Sequence, residues 1–239
     1  ASELEHVVVK GLHCHIGSQI LEKAPFVHAA EVMLQFFAQV REELGTTFEH
    51  LNLGGGFGIH YTERDDAIPY EEYMEDVSAM VHAKCRELGL DLPYIFIEPG
   101  RSIVGEAGIT LYTVGNIKHI PGVRDYVAID GGMFDNPRYA LYQSAYTCIL
   151  ANKAGEPADY TATIAGKCCE SGDLIQEHTL IQKPEEGDIL AVLSTGAYNY
   201  SMASNYNRNL KPAVVMVSHG KSRIVVKGET YEDLVRNDV

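Results

Sequence analysis

The sequence is short of positive charge: 19 Lys and Arg stand against 33 Asp and Glu, for a formal net charge of −14. Binding a phosphate backbone needs clustered Lys and Arg, so this composition argues against a nucleic-acid partner. It does not argue against a small anion, which a local pair of arginines can hold inside an acidic protein. Cysteine is sparse and unpatterned: Cys14, Cys85, Cys148, Cys168 and Cys169 are odd in number and lack CxxC or zinc-ribbon spacing. A disulfide framework is therefore not expected, and a reducing compartment is. No apolar stretch is long enough to span a bilayer, and no basic region precedes an apolar, cleavable one. The expected location is cytoplasmic, with no membrane partner. An initiator methionine is also missing, and "ASELEHVVVKG" enters a strand almost at once, as an internal piece of a longer polypeptide would. What is present, 239 residues with 46% hydrophobic content, suits one large globular domain or two ordinary ones.

Val7-Val8-Val9 followed by alternation through Leu12, Cys14 and Ile16 predicts a strand, with His13 and His15 together on its other face. Phe26, Ala30, Met33, Phe37, Val40 and Leu44 recur at helical spacing over 25–44, with Gly45 as the stop. A second strand ends at Leu51-Asn52-Leu53, before Gly54-Gly55-Gly56. A second helix covers 70–88 with Tyr73, Val77, Val81 and Leu88 inward, and a third strand, Tyr94 to Ile97, opens onto Glu98-Pro99-Gly100-Arg101. This is a βαβαβ order, in which ligands gather at the C-terminal ends of parallel strands. Beyond Arg101 short β-type runs take over, at 109–114, 126–129, 160–164, 189–193, 213–217 and 223–226, with a closing helix over 229–236.

The chemistry-bearing residues fall in clusters. In "KGLHCHIGSQI", two imidazoles on one strand face are half of a zinc site, a stacking surface for a flat cofactor, or part of a packed core. A catalytic zinc needs a third protein ligand, and the sequence names none. "GGGFG" at 54–58 strips side chains from a strand end, so backbone N–H groups can approach an anion, yet it matches neither the dinucleotide nor the Walker pattern. "EPGR" at 98–101 joins an acid, a rigid turn and an arginine. It is either a surface ion pair or a carboxylate that keeps a pyridine nitrogen protonated. "NPRYALY" sets Arg138 and Tyr142 four apart, "KCCESGD" holds Cys168, Cys169 and Glu170, and "STGAYNYSMASNYN" contains Tyr198.

Taken in order, "GLHCHIGSQI", "LNLGGGFGI", "IEPGRSIVGEAG", "AIDGGMFDNPRYALY", "GKCCESGD" and "STGAYNYSMASNYN" resemble the diaminopimelate decarboxylase family along essentially the whole chain. These are pyridoxal-phosphate enzymes with an alanine-racemase-type barrel. Ornithine and arginine decarboxylases share the HxGS, glycine-rich and EPGR elements, whereas the Arg138/Tyr142 pair and the CESGD form point to the diaminopimelate branch. The resemblance implies an α/β plus β fold: the C-terminal part of a (β/α)8 barrel over 1–103, then a β-barrel or sandwich domain over 104–239. It implies pyridoxal 5'-phosphate as cofactor and decarboxylation of meso-2,6-diaminopimelate to L-lysine and carbon dioxide.

By the same resemblance His15 stacks on the pyridoxal ring. Ser18, Gly55 and Gly56 bind its phosphate, with Tyr198 and the backbone of Glu98, Pro99, Gly100 and Arg101. Glu98 meets the pyridine nitrogen. Arg101, Arg138, Tyr142 and Tyr198 hold the substrate, Glu170 takes its distal ammonium, and Cys169 is the general acid that returns a proton after carbon dioxide leaves. Cys169 and Glu170 serve the other subunit of a homodimer. No metal is implied, and His13 supports the strand or a neighbouring hydrogen bond. The family's cofactor-bonded lysine lies in a segment this sequence does not contain, and Lys10 is out of phase with His13 and His15, so the 239 residues alone are expected to be inactive. The competing readings are a decarboxylase for ornithine, arginine or carboxynorspermidine, and a non-catalytic regulatory relative.

Overall fold

The computed structural model describes residues 1 and 3–239, which divide into two units, Ala1–Val104 and Gly105–Val239. The first is built on three short parallel strands, β1 (Gly11–His13), β2 (His50–Asn52) and β3 (Tyr94–Phe96), paired in that order. Helices α1 (Ala24–Leu44) and α2 (Tyr70–Leu88) connect them. The expected strand from Val7 shrinks to three residues, because β2 offers only three partners and Val7 and Val8 stand exposed without a ladder.

Both helices occupy the expected spans, and α1 buries the expected face except at its C-terminal end. Phe26, Ala29, Ala30, Leu34 and Phe37 are buried, whereas Leu44, expected inward, is 64% exposed at the helix end. On α2 the buried stripe is Tyr73, Val77, Val81 and Cys85. The two stripes meet over Leu51 and Leu53 in one core. Phe57 is its keystone: its ring stacks on Phe26 at 4.7 Å and meets Tyr70 and Tyr73 edge-on at 5.2 Å. Such aromatic pairs add about 0.5–1.5 kcal/mol each beyond area burial. The phenylalanine of "GGGFG" thus draws the glycine loop down onto the helices, and the Tyr73 hydroxyl ties in Ile20 through its carbonyl oxygen at 2.8 Å. A one-turn helix, α3 (Arg101–Val104), ends the unit.

The second unit is a six-stranded sheet in the order β6-β9-β4-β5-β7-β8. Its strands are β4 (Thr110–Ile120), β5 (Arg124–Ile129), β6 (Cys148–Leu150), β7 (Tyr160–Ala165), β8 (Leu174–Ile181) and β9 (Ile189–Val192), antiparallel except for the parallel β5–β7 pair. Side chains sew its outer strands together. Gln182 accepts the Leu150 N–H at 2.8 Å and Gln176 the Tyr146 N–H at 2.9 Å, so the sheet curls toward a barrel. The one-turn helix α4 (Arg138–Tyr142) lies between β5 and β6, and a second, α5 (Asn199–Met202), follows β9. A hairpin of β10 (Val214–Ser218) and β11 (Lys221–Val226) and helix α6 (Tyr231–Val235) follow. Strands β6 and β8 and helices α3 to α5 were not anticipated.

Among the described residues no helix is long and apolar enough to cross a membrane. All five cysteines are free.

Candidate active site

In the first unit the three strands end together. In-register pairing puts His13, Asn52 and Phe96 side by side, and the ladder continues through Cys14 N–H to Asn52, Leu53 N–H to Phe96 and Glu98 N–H to Gly54. His15, Gly54–Gly56 and Glu98 therefore meet at one rim. The Gly55 N–H donates to His15 Nδ1 at 3.3 Å, which fixes the plane of an exposed imidazole. A Cβ on Gly55 would lie 2.3 Å from the Glu98 carbonyl oxygen, and one on Gly56, whose φ is 103°, 2.3 Å from that of Gly17. Only glycine lets the backbone of these three segments close up this far.

The Glu98 carboxylate stands at the rim. Asn52 Nδ2 donates to it at 2.8 Å, and His13 Nε2 lies 3.5 Å from its other oxygen. The Asn52 carboxamide also accepts the Gly54 N–H at 2.9 Å, so one side chain sets both the acid and the glycine loop. Arg101 turns inward. It is 6% exposed, its guanidinium donates to the Tyr61 hydroxyl and, at 2.5 Å, to Ser18 Oγ, and it lies over the Tyr61 ring. Its visible work is to hold Ser18 in place. Neither Asn52 nor Tyr61 has a role legible in the sequence: Asn52 stands inside "LNLGGGFGI" but reads there as a strand residue, and Tyr61 lies just beyond that stretch.

These residues fit pyridoxal phosphate: a side-chain-free backbone cradle for an anion, a fixed imidazole for a ring face, and a solvent-reaching carboxylate for a ring nitrogen. The three lysines of this unit are all paired with carboxylates instead. Lys10 reaches Glu49 at 3.1 Å, Lys23 reaches Asp76 at 3.0 Å, and Lys84 reaches Glu31 and Glu87. Among the described residues, no group of three or more His, Cys, Asp and Glu is placed to hold a metal ion.

In the second unit, Arg138 is the centre of a second cluster. Helix α4 brings its guanidinium 5.6 Å from the Tyr142 ring, and the chain leading into α5 lays the Tyr198 ring 5.1 Å from it. The buried guanidinium is held in position by these two cation–π contacts and by donating to Ser144 Oγ at 3.1 Å, and its planar fork is the geometry that recognises a carboxylate. Tyr198 has φ 72° and ψ −42°, an uncommon conformation for a non-glycine residue, and its place against Arg138 goes with it.

The Lys167–Asp173 segment is fastened from beneath. Asp173, 3% exposed, accepts the Cys168 N–H at 2.6 Å and the Met133 N–H at 2.5 Å, which locks this segment to the one carrying Arg138. The neighbouring cysteines differ. Burial, and then the charge of Asp173, push the half-buried Cys168 thiol up to about 11, whereas Cys169 and Glu170 are exposed.

Asp135, under the Arg138 segment, accepts the Gly132 N–H at 3.1 Å and the Tyr112 hydroxyl at 3.2 Å, but burial still raises its carboxyl from 3.8 to about 6. The folded state therefore binds more protons than the unfolded one between pH 3.8 and about 6, and stability falls as pH rises through that window. At one pKa unit per 1.36 kcal/mol, the loss is at most about 3 kcal/mol. Asp135→Asn is expected to flatten this part of the stability–pH curve, measured by urea unfolding from pH 4 to 7, and an unchanged slope would refute the assignment.

Residues 1–105 match the family described as pyridoxal-dependent decarboxylase, pyridoxal binding domain. Over 235 residues the chain is 53% identical to diaminopimelate decarboxylase of Bacillus subtilis, which covers 98% of this chain and 54% of that protein. It is 50% identical to diaminopimelate decarboxylase of Staphylococcus aureus over 98% of this chain and 55% of that protein. The crystal structure of diaminopimelate decarboxylase from M. jannaschii in complex with L-lysine superposes with a TM-score of 0.91 at 35% identity, covering 100% of this chain and 54% of that one. The chain thus spans about half the length of the curated relatives it matches. Residues 1–105 carry the pyridoxal binding domain of the pyridoxal-dependent decarboxylases, and nearly the whole chain is similar to diaminopimelate decarboxylases.

Proposed function

We propose that the chain is part of a pyridoxal-phosphate decarboxylase that converts meso-2,6-diaminopimelate to L-lysine and carbon dioxide. The observation that carries this reading is the meeting of His15, Gly54–Gly56 and Glu98 at one rim of a parallel sheet. The names of the relatives point to the diaminopimelate branch. When bound, pyridoxal phosphate supplies an electron-withdrawing ring that takes up the electron pair released as carbon dioxide departs.

The chain's own residues divide the remaining work. Gly55, Gly56 and Ser18 hold the phosphate, with the Pro99-Gly100 turn beside them, and Arg101 keeps Ser18 in register. His15 covers a ring face, and Glu98 holds a proton at the pyridine nitrogen. Arg138, steadied by Tyr142 and Tyr198, takes a substrate carboxylate, and Glu170 takes the distal ammonium, which ornithine also offers but without a second carboxylate. Cys169 gives its Sγ proton to the α-carbon, and with Glu170 it acts across a homodimer interface.

The first unit has the layout of part of a (β/α)8 barrel, and the second that of a β-barrel or sandwich domain. A three-stranded parallel sheet bare on both edges, with Tyr94 71% exposed on β3, fits a larger closed sheet better than an independent one. Lys10, Lys23 and Lys84 of the first unit are all paired with carboxylates, which supports a cofactor-bonding lysine supplied from outside these 239 residues; the 239 residues alone are then expected not to turn over substrate. The test is borohydride reduction of the complete protein with bound pyridoxal phosphate, followed by peptide mapping. A pyridoxyl group on a lysine outside these 239 residues is expected; one on any lysine within them, or no specific label, would overturn the reading.

A further inference from the structure

The Cys168–Glu170 segment is gripped residue by residue by the turn at 206–209. Asn209 Nδ2 approaches Cys168 Sγ at 3.6 Å, Asn207 Oδ1 accepts the Cys169 N–H at 2.6 Å, and the Tyr206 hydroxyl reaches Glu170 at 3.4 Å. The central contact comes from a strained position. Asn207 has φ 52° and ψ 27°, and Arg208 follows with φ 57°, two successive non-glycine residues in the left-handed region. Asparagine tolerates that region better than most residues, but a consecutive pair persists only where its surroundings enforce it.

Here they do. Asn205 Nδ2 closes the turn on the Asn209 carbonyl oxygen at 2.9 Å and also donates to Glu229 at 2.6 Å. Glu229 accepts the Lys211 N–H at 2.9 Å, and Arg208 pairs with Asp238 at 2.6 Å. The strained turn is thus fixed at both ends and delivers one side-chain carbonyl to one amide.

We propose that Asn207 is a positioning residue that holds the Cys169 backbone, and with it the thiol, in the place from which its proton is delivered. This rests on the reading of Cys169 as proton donor. Asp173 fixes the preceding amide from the sheet side, so loss of Asn207 releases Cys169 and Glu170 without unfastening the whole loop.

The experiment uses the complete holoenzyme and three variants. Asn207→Asp keeps an acceptor, Asn207→Gly keeps the left-handed backbone but not the acceptor, and Asn207→Ala keeps neither. Hydrogen exchange in a peptide covering 168–170 and steady-state kinetics are read together. Asn207→Gly and Asn207→Ala are expected to speed exchange there and lower kcat by about tenfold or more, with a smaller change in KM, while Asn207→Asp stays within about threefold of native. Native exchange and turnover in Asn207→Gly would overturn the proposal, since backbone conformation alone would then suffice. A fall in kcat without faster exchange would also overturn it. Cys169→Ala in parallel separates the two readings: if that variant is fully active, the proton-donor role fails whatever the exchange data show.

Discussion

Cys169→Ala in the complete enzyme is expected to lower kcat by about 10²–10⁴, the usual contribution of a positioned general acid, while cofactor affinity stays within a few-fold of native. The geometry explains why the effect should fall on this cysteine and not on its neighbour. Cys168 is half-buried, its N–H is held by Asp173, and burial pushes its thiol up to about 11, which makes it a poor proton donor. Cys169 is exposed, with only its backbone restrained. Cys168→Ala should accordingly leave kcat nearly unchanged, and equal losses in the two variants would remove the distinction. The dimer reading adds a sharper form of the test. If Cys169 serves the partner's site, mixing Cys169→Ala with an inactive variant altered in the cofactor cradle should restore about a quarter of native turnover through hybrids with one intact site.

Glu98→Gln is the second large expected effect. A carboxylate keeps a pyridine nitrogen protonated, whereas a carboxamide of the same shape does not, so the ring becomes a poorer electron acceptor. The rate should fall by roughly 10²-fold or more, with an altered visible spectrum of the bound cofactor. The fold should not suffer. Glu98 is solvent-exposed, and the oxygen of the substituted carboxamide can still accept from Asn52 Nδ2, which lies 2.8 Å from Glu98 Oε1 in the native protein. Full activity in this variant would contradict the contact with the pyridine nitrogen. Asn52 offers a milder control, because it touches both Glu98 and the Gly54 N–H, and its loss should weaken cofactor retention as well as rate.

The parts of this molecule legible in its sequence are those where one periodicity rules. Helix α2 occupies its expected span because Tyr73, Val77 and Val81 repeat at helical spacing and nothing competes with that repeat. Strand β1 is shorter than its alternation suggested because strand length depends on a partner, and β2 is only three residues long. Strand β8 was missed since "LIQEHTLI" carries four polar residues, and its structural work is done in part by a polar one, Gln176, bonded across to Tyr146. One-turn helices such as α4 are too short for any repeat to show, although α4 is what aims Arg138. The motifs named candidate site residues but not how they are held. The inward turn of Arg101 onto Ser18 and Tyr61, the Arg138 stack with Tyr198, and the grip of Asn207 on Cys169 join residues 38 to 83 positions apart, with no local pattern linking them.

The most direct test of the central claim is substrate choice by the complete protein loaded with pyridoxal phosphate. Carbon dioxide release would be measured with meso-diaminopimelate, ornithine, arginine and carboxynorspermidine at matched concentrations. The account predicts turnover of meso-diaminopimelate to L-lysine, with kcat/KM at least about 10²-fold above the others because Arg138 would otherwise face no carboxylate. Preference for ornithine, arginine or carboxynorspermidine, or no cofactor-dependent release from any of them, would contradict it.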